Sequence, residues 1–378
     1  MGRAFSRRAR RCMPWLGVFM ALARPAFAED EVRIAIETKG DVTVKGTELA
    51  IFDGVDGHRL WAFGGRGTVE LRPAGHAIEA RGVNGTRYGR AAKIFVEAKG
   101  AVELQGRRAF YGRLEVRLEK GALEVVNRLE LETYLLGIIG SEMSASWPAE
   151  ALKAQAVAAR TFALQRVMMA RSADKTHDLA ATVISQVYKG AENIQDSVKE
   201  AVRATRGEVV AYDHLLAETL FHSTCGGRTV SSKDYFGGDR SYLKARDCGY
   251  CGASSHHHWE VRIPRSTVRE RLSKAGLWKR GLDAIESKAG FTTVRVRGGG
   301  RHRDLSAKAV RRAIGWKAVY SERFSAKTDG KYVLFSGRGF GHGVGMCQWG
   351  ARGMAEAGKS YREILLHYYA GAEVKRIY

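Results

Sequence analysis

A chain of 378 residues with 62 Lys and Arg against 40 Asp and Glu carries a formal charge of +22, and 45% of it is hydrophobic. That length can bury a sizeable core, and the composition excludes a disordered chain; 44 Gly and 5 Cys exclude collagen-like and disulfide-scaffold classes. The charge calls for an acidic partner, whether nucleic acid, anionic lipid or an acidic wall polymer, and the compartment has to choose among them.

The N-terminus speaks to the compartment. Arg3, Arg7, Arg8, Arg10 and Arg11 make a basic stretch, residues 13–23 are a short apolar run, and Ala26-Phe27-Ala28 is an A-x-A cleavage pattern. The run is shorter than the ~18 residues that a membrane span needs. Residues 1–28 are therefore predicted to be a signal peptide, with Sec export as the default and Ser6-Arg7-Arg8 as a weak twin-Arg signal. Their removal takes away six Arg and no acid, lowering the charge from +22 to +16 over 350 residues. Export sets nucleic acid aside and makes a wall glycan the natural partner of a periplasmic or extracellular protein. No later stretch is apolar for long enough to span a membrane.

From Val32 to Leu123 the pattern alternates in strand fashion, as in Val32-Arg33-Ile34-Ala35-Ile36, with turn signals at Asp53-Gly54, Asp56-Gly57, Asn84-Gly85 and Lys99-Gly100. The texture changes near Leu131. Helices are expected over residues 133–143, 148–171 and 198–205, with Pro148 at a helix start. Residues 208–221 return to strand, 222–260 are loop-rich, and 265–335 mix helix (266–275, 306–314) with strand (292–296). A Gly-rich loop covers 335–345, and a last helix runs over 361–369. The expected class is α+β: a β-rich N-terminal region (29–111), then a domain (112–378) with a helical pair and a mixed C-terminal part closing a cleft.

On the first of these helices Leu135, Ile138, Ile139 and Glu142 fall at i, i+3, i+4 and i+7, so a carboxylate ends an apolar stripe. Burial raises a carboxyl pKa, which is how a Glu becomes a general acid near neutral pH; the plain alternative is a helix-end Glu turned to solvent. On the next helix Lys153 and Arg160 share a face with Ala156 and Val157, suited to an anionic substrate, to orienting Glu142, or simply to solvent. Gln155 lies on another face with Ala159 and Phe162. The loop Gly337-Arg338-Gly339-Phe340-Gly341-His342-Gly343-Val344-Gly345 fits neither G-x-G-x-x-G nor a P-loop. It is either a close-approach surface for a sugar or a structural turn with a hydrogen-bonded His342.

Residues 129–143 (LELETYLLGIIGSEM) and 147–163 (WPAEALKAQAVAARTFA) resemble the signature of the stage II sporulation protein D family, which includes the amidase enhancers. The resemblance continues through Gln186-Val187-Tyr188, Phe221-His222-Ser223-Thr224-Cys225-Gly226-Gly227-Arg228-Thr229, Gly339–Met346, Gln348-Trp349-Gly350-Ala351 and residues 364–369. It implies a peptidoglycan lytic transglycosylase acting on denuded glycan strands without a catalytic cofactor. Glu142 matches the family's catalytic acid. Lys153, Gln155, Arg160, Tyr188, Ser223, His342 and Gln348 are then candidates to line the cleft. The other implied role is a non-catalytic, wall-binding partner of a cell-wall amidase. Hydrolytic glycosidases use two carboxylates, but an intramolecular nucleophile relaxes that need.

Cys248-Gly249-Tyr250-Cys251, with Cys225 upstream and His256 downstream, has the ligand types of a structural zinc site. A disulfide within the same group is the competing reading in an exported protein. His222, His257 and His258 are alternatives to His256, and Cys347 reads as a small buried residue standing apart. The His and Cys that bind zinc in some sporulation members are replaced here by Ile184 and Ser185, so that site is not expected.

Overall fold

Period-two alternation between residues 31 and 130 produces an antiparallel sheet. Its strands are β1 (Glu31–Lys39), β2 (Val42–Asp53), β3 (Arg59–Ala62), β4 (Arg66–Ala74), β5 (Ala77–Arg81), β6 (Arg87–Ala91), β7 (Lys93–Leu104), β8 (Arg108–Phe110), β9 (Arg113–Glu119) and β10 (Ala122–Glu130). A short parallel strand, Leu179–Ala180, joins the edge at β1. The structure is a computed structural model that describes residues 31–105, 108–180, 188, 190, 194–288 and 292–378. The expected signal peptide, residues 1–28, lies outside the described residues, as do Ile184, Ser185 and Gln186. Among those described, no helix is long and apolar enough to cross a membrane.

β9 and β10 lie beyond residue 111 yet pair with β7 and β1, so the sheet crosses the boundary expected at 111/112. Residues Glu31–Tyr378 form one compact unit.

β10 runs directly into α1 (Leu131–Glu142), and a turn at 143–148 leads into α2 (Ala149–Ser172). α3 (Asp196–Ala204) packs on both. α4 (Ser232–Phe236) is a single short turn. A second sheet then assembles from Trp259–Pro264, Tyr332–Gly337, Phe324–Asp329, Ala284–Ser287, Thr293–Gly298 and Arg301–Ser306. With α5 (Arg265–Lys274) and α6 (Ala307–Ile314) it encloses its own core around Val268, Val294, Val310, Phe324 and Phe335. The chain returns to the first core through α7 (Gln348–Glu356) and α8 (Tyr361–Tyr368).

Helix α7 was not expected from the sequence, because QWGARGMAE holds two glycines, each costing about 1 kcal/mol in a helix interior. Packing requires both of them, since a Cβ on Gly353 would collide with the Tyr250 carbonyl. A Cβ on Gly350 would collide with Tyr368 Oη and lie 2.6 Å from Cys248 Sγ.

α1 and α2 are clamped by a buried ion pair. Arg160 has no exposed surface, and its Nε and Nη2 each donate 2.8 Å to the two oxygens of Glu132. Its Nη1 donates to the Glu208 carbonyl at 3.1 Å, and Tyr378 Oη donates to Glu132 at 2.6 Å. Burial works against the Glu132 charge, but the Arg160 hydrogen bonds and charge outweigh it and hold the carboxyl below its ordinary value of 4.5. Arg160 therefore joins helices; it does not line a cleft or orient Glu142 as the sequence suggested. Glu132 and Glu142 sit at opposite ends of α1, about 15 Å apart at 1.5 Å per residue.

Removing either partner strands a buried charge, so Arg160→Ala is expected to lose about 3–5 kcal/mol of stability, read from urea unfolding at pH 7. Because the folded Glu132 pKa is lowered, this contribution is present above the unfolded value of 4.5 and is lost as pH falls through the lower folded value. A stability-versus-pH curve should accordingly be flatter in acid for the variant than for the wild type.

Candidate active site

The apolar stripe of α1 is realised as expected. Leu135, Ile138 and Ile139 are buried, and Glu142, the last helical residue, is half-buried. One glutamine reaches it from another helix and also touches a second glutamine behind it. Gln348 opens α7, and its Nε2 lies 3.5 Å from Glu142 Oε2 and 3.4 Å from Gln155 Oε1. Gln155 is wholly buried on α2, and its Nε2 has no hydrogen-bond partner among the described residues. The two contacts are at the long limit of hydrogen bonding, as catalytic contacts often are without substrate. The Glu142 charge extends to Tyr134, whose pKa is raised first by burial and then by that carboxylate.

The flanking carboxylates are committed elsewhere. Glu132 belongs to Arg160, and Glu150 accepts from Lys153 Nζ at 2.7 Å and from the Tyr361 backbone N–H at 2.7 Å. Lys153 is thus engaged in an ion pair three residues back along its own helix, a partly exposed pair of the kind that stabilises weakly.

The remaining candidates divide. Ser223 stays close to the centre, since its carbonyl accepts from the Trp349 backbone N–H at 3.1 Å. Tyr188 is buried under α1 and donates 2.6 Å to Asn127 Oδ1, while Asn127 Nδ2 donates to the Tyr111 and Arg113 carbonyls. Its hydroxyl is a structural link to the first sheet. His342 uses both ring nitrogens internally: Nε2 donates to the Phe221 carbonyl at 2.9 Å, and Nδ1 accepts from the Val344 N–H at 3.0 Å. Burial lowers its pKa to about 4, so the ring is neutral at physiological pH. The Gly-rich segment is therefore the structural turn of the two readings. Its glycines approach the chain's own residues 220–230: a Cβ on Gly341 would lie 2.8 Å from His222 Cβ, and Thr224 and Phe340 exchange backbone hydrogen bonds.

Sequence reasoning overlooked an aromatic pair beside the carboxylate. Trp147, in the turn after Glu142, and Trp349, next to Gln348, meet edge to face at 5.1 Å between centroids. Arg352 lies over both rings, at 5.5 and 4.9 Å. Both tryptophans are half-buried. The signal was available, because each Trp adjoins a residue of the motif, but only the fold brings the two together.

The cysteines form a different set from the one expected. Cys225, Cys248, Cys251 and Cys347 are all buried, and their sulfurs lie within 4.8 Å of one another. His256 is not in this group; its ring packs on Tyr320 and Phe340 instead. Cys347, read as standing apart, is the fourth member because Phe221–His222 pairs in parallel with Met346–Cys347 and brings it beside Cys225. Cys225 shares its hydrogen bonds with the neighbouring sulfurs, which lowers Cys251 and takes Cys248 to about 7, while Cys225 is raised in return.

Residues 119–212 match the family model described as Stage II sporulation protein. The chain is 32% identical over 276 residues to a stage II sporulation protein D of Bacillus amyloliquefaciens, covering 66% of this chain and 75% of that one. It is 30% identical over 287 residues to a stage II sporulation protein D of Bacillus subtilis, covering 69% and 79%. An amidase enhancer of Bacillus subtilis is 29% identical over 292 residues, which span 63% of this chain and 39% of the enhancer.

If Tyr188 acts as a structural link, Tyr188→Phe leaves the buried Asn127 Oδ1 unpaired. It should then destabilise the fold by about 1–3 kcal/mol, measured as a lowered urea midpoint at unchanged m-value.

Proposed function

The chain belongs to the stage II sporulation protein D family, and on that premise we propose that it is a peptidoglycan lytic transglycosylase with Glu142 as its single acid and base. The observation that carries this reading is the contact of Gln348 Nε2 with both Glu142 and the buried Gln155, which links three different helices at one point. The protonated Glu142 donates to the glycosidic oxygen between N-acetylmuramic acid and N-acetylglucosamine. The resulting carboxylate then takes the proton from the muramic C6 hydroxyl, which closes on C1 to give the 1,6-anhydro end. An internal hydroxyl replaces activated water, so proximity does the work of a second carboxylate. This accords with the commitment of Glu132 and Glu150 to other partners.

Gln348 orients the carboxylate by donating to one of its oxygens. Trp147 and Trp349 offer apolar ring surface on which sugar faces pack, and Arg352 steadies both rings. A signal peptide delivers the protein to the wall, and its basic surface favours residence on an acidic polymer.

The relative named amidase enhancer supports a second reading, in which the protein stimulates a cell-wall amidase without cleaving glycan. The two readings separate on Glu142. Denuded glycan strands digested with wild type should yield anhydromuramic ends by mass spectrometry, and Glu142→Gln should lower their rate of formation about 10²–10⁴-fold. Amidase stimulation that survives Glu142→Ala, with no glycan product from wild type, would establish the enhancer reading instead. Trp349→Ala is expected to weaken glycan binding up to about 10-fold while the Glu142-dependent product remains the same.

A further inference from the structure

We infer that Cys225, Cys248, Cys251 and Cys347 bind one zinc ion as four thiolates, and that this ion anchors the start of α7 and thereby holds Gln348 against Glu142. The first half stands independently of the glycan reading; the second half rests on it.

The geometry suits a single ion. A tetrahedral centre with Zn–S bonds of about 2.3 Å places its sulfurs about 3.8 Å apart. Cys225 and Cys251 are 3.5 Å apart, and all four sulfurs fall within 4.8 Å of one another. The C-x2-C pair supplies two ligands from one tight loop, Cys347 ends one of two paired strand segments, and Cys225 follows the other by three residues.

Hydrogen-bond donors surround the sulfurs, with the Ser223 carbonyl 3.7 Å from Cys347 Sγ as the one carbonyl contact among the described residues. The Cys225 and Gly350 backbone N–H groups donate to Cys347 Sγ at 3.2 and 3.3 Å. The Gly227 N–H donates to Cys251 Sγ at 3.4 Å, and Tyr368 Oη lies 3.1 Å from Cys248 Sγ. Such outer contacts orient metal ligands and satisfy thiolate lone pairs, whereas neutral buried thiols need none of them. Cys347 also caps α7, so its thiolate meets the positive end of a nine-residue helix. Binding releases the four thiol protons and leaves a centre of net charge −2.

The consequence for the site is mechanical. Cys347 immediately precedes Gln348, and Gly350 packs on Cys248 and Tyr368 with no room for a Cβ. A ligand bond on Cys347 therefore fixes the first turn of α7 from below while Gln348 projects towards Glu142. Gln348 touches the carboxylate, and the sulfur cluster acts on it as a positioning element.

The test begins with metal analysis of the purified full-length chain by native mass spectrometry and inductively coupled plasma mass spectrometry. One zinc per chain is expected, together with a tetrathiolate ligand-field spectrum after exchange with Co(II). His256→Ala should keep the zinc, and Cys347→Ser should surrender it to a chelator that leaves wild type loaded. Zinc-free wild type carrying two disulfides, or iron at the same stoichiometry, would overturn the assignment. Retention of zinc by Cys347→Ser with loss from His256→Ala would overturn the ligand set. For the positioning half, stripping zinc should speed amide exchange in the first turn of α7 and lower glycan cleavage; unchanged exchange there would refute it. Absent cleavage from zinc-loaded wild type removes the functional reading and leaves the zinc site standing, while cleavage by a zinc-free wild type does the reverse.

Discussion

The buried pair between Arg160 and Glu132 sets the frame on which the rest depends. The buried face of α2 is rich in alanine, and such a surface offers few interlocking shapes to fix how α1 sits on it. A guanidinium with no exposed surface, forked onto one carboxylate and also bonded to the Glu208 carbonyl, permits one register. Its energetic yield is limited by the cost of dehydrating two charges, so its value lies in specifying geometry. Once α1 and α2 are locked at that end, the far end of α1 presents Glu142 to Gln348, which also touches Gln155 on α2.

The third contributor to the site arrives by a long route. Between α2 and α7 the chain builds a whole second sheet with its own core, then returns through the Gly-rich turn. That turn is stitched to residues 220–230 by backbone pairs and by His342 Nε2, and Trp259 Nε1 donates to the Gly339 carbonyl at 2.8 Å. The second sheet is thus tied to the strand pair that places Cys347 and Gln348. The catalytic candidates stand on helix ends held by packed elements, which is how a site keeps its geometry within a fraction of an ångström.

Much of this was legible residue by residue. The stripe ending in Glu142 needed only helical periodicity, and the alternation of the N-terminal strands needed only the pleat. Arg160 misled because a cation on a helix looks the same in sequence whether it faces a substrate or a partner helix. Only the antiparallel approach of α1, which brings Glu132 opposite it, decides the matter. His342 misled for a related reason, since a histidine among glycines suits a ligand surface as well as a turn. The hydrogen bonds to Phe221 and Val344 that occupy it come from 121 residues away and from two residues on.

By itself the sequence determined the local periodicities, the specific block around Glu142 that carries the family, and the C-x2-C loop. Those are properties of neighbours along the chain, written at spacings of two to seven residues. Tertiary structure alone decided that Gln348 meets both Glu142 and Gln155, that Trp147 meets Trp349 edge to face, and that Cys347 completes the sulfur group in place of His256. Each of these joins residues about 100 to 200 positions apart, and such contacts depend on which helices share a register and which strands pair. No spacing rule encodes that; the buried ion pair and the parallel strand pair at Cys347 do.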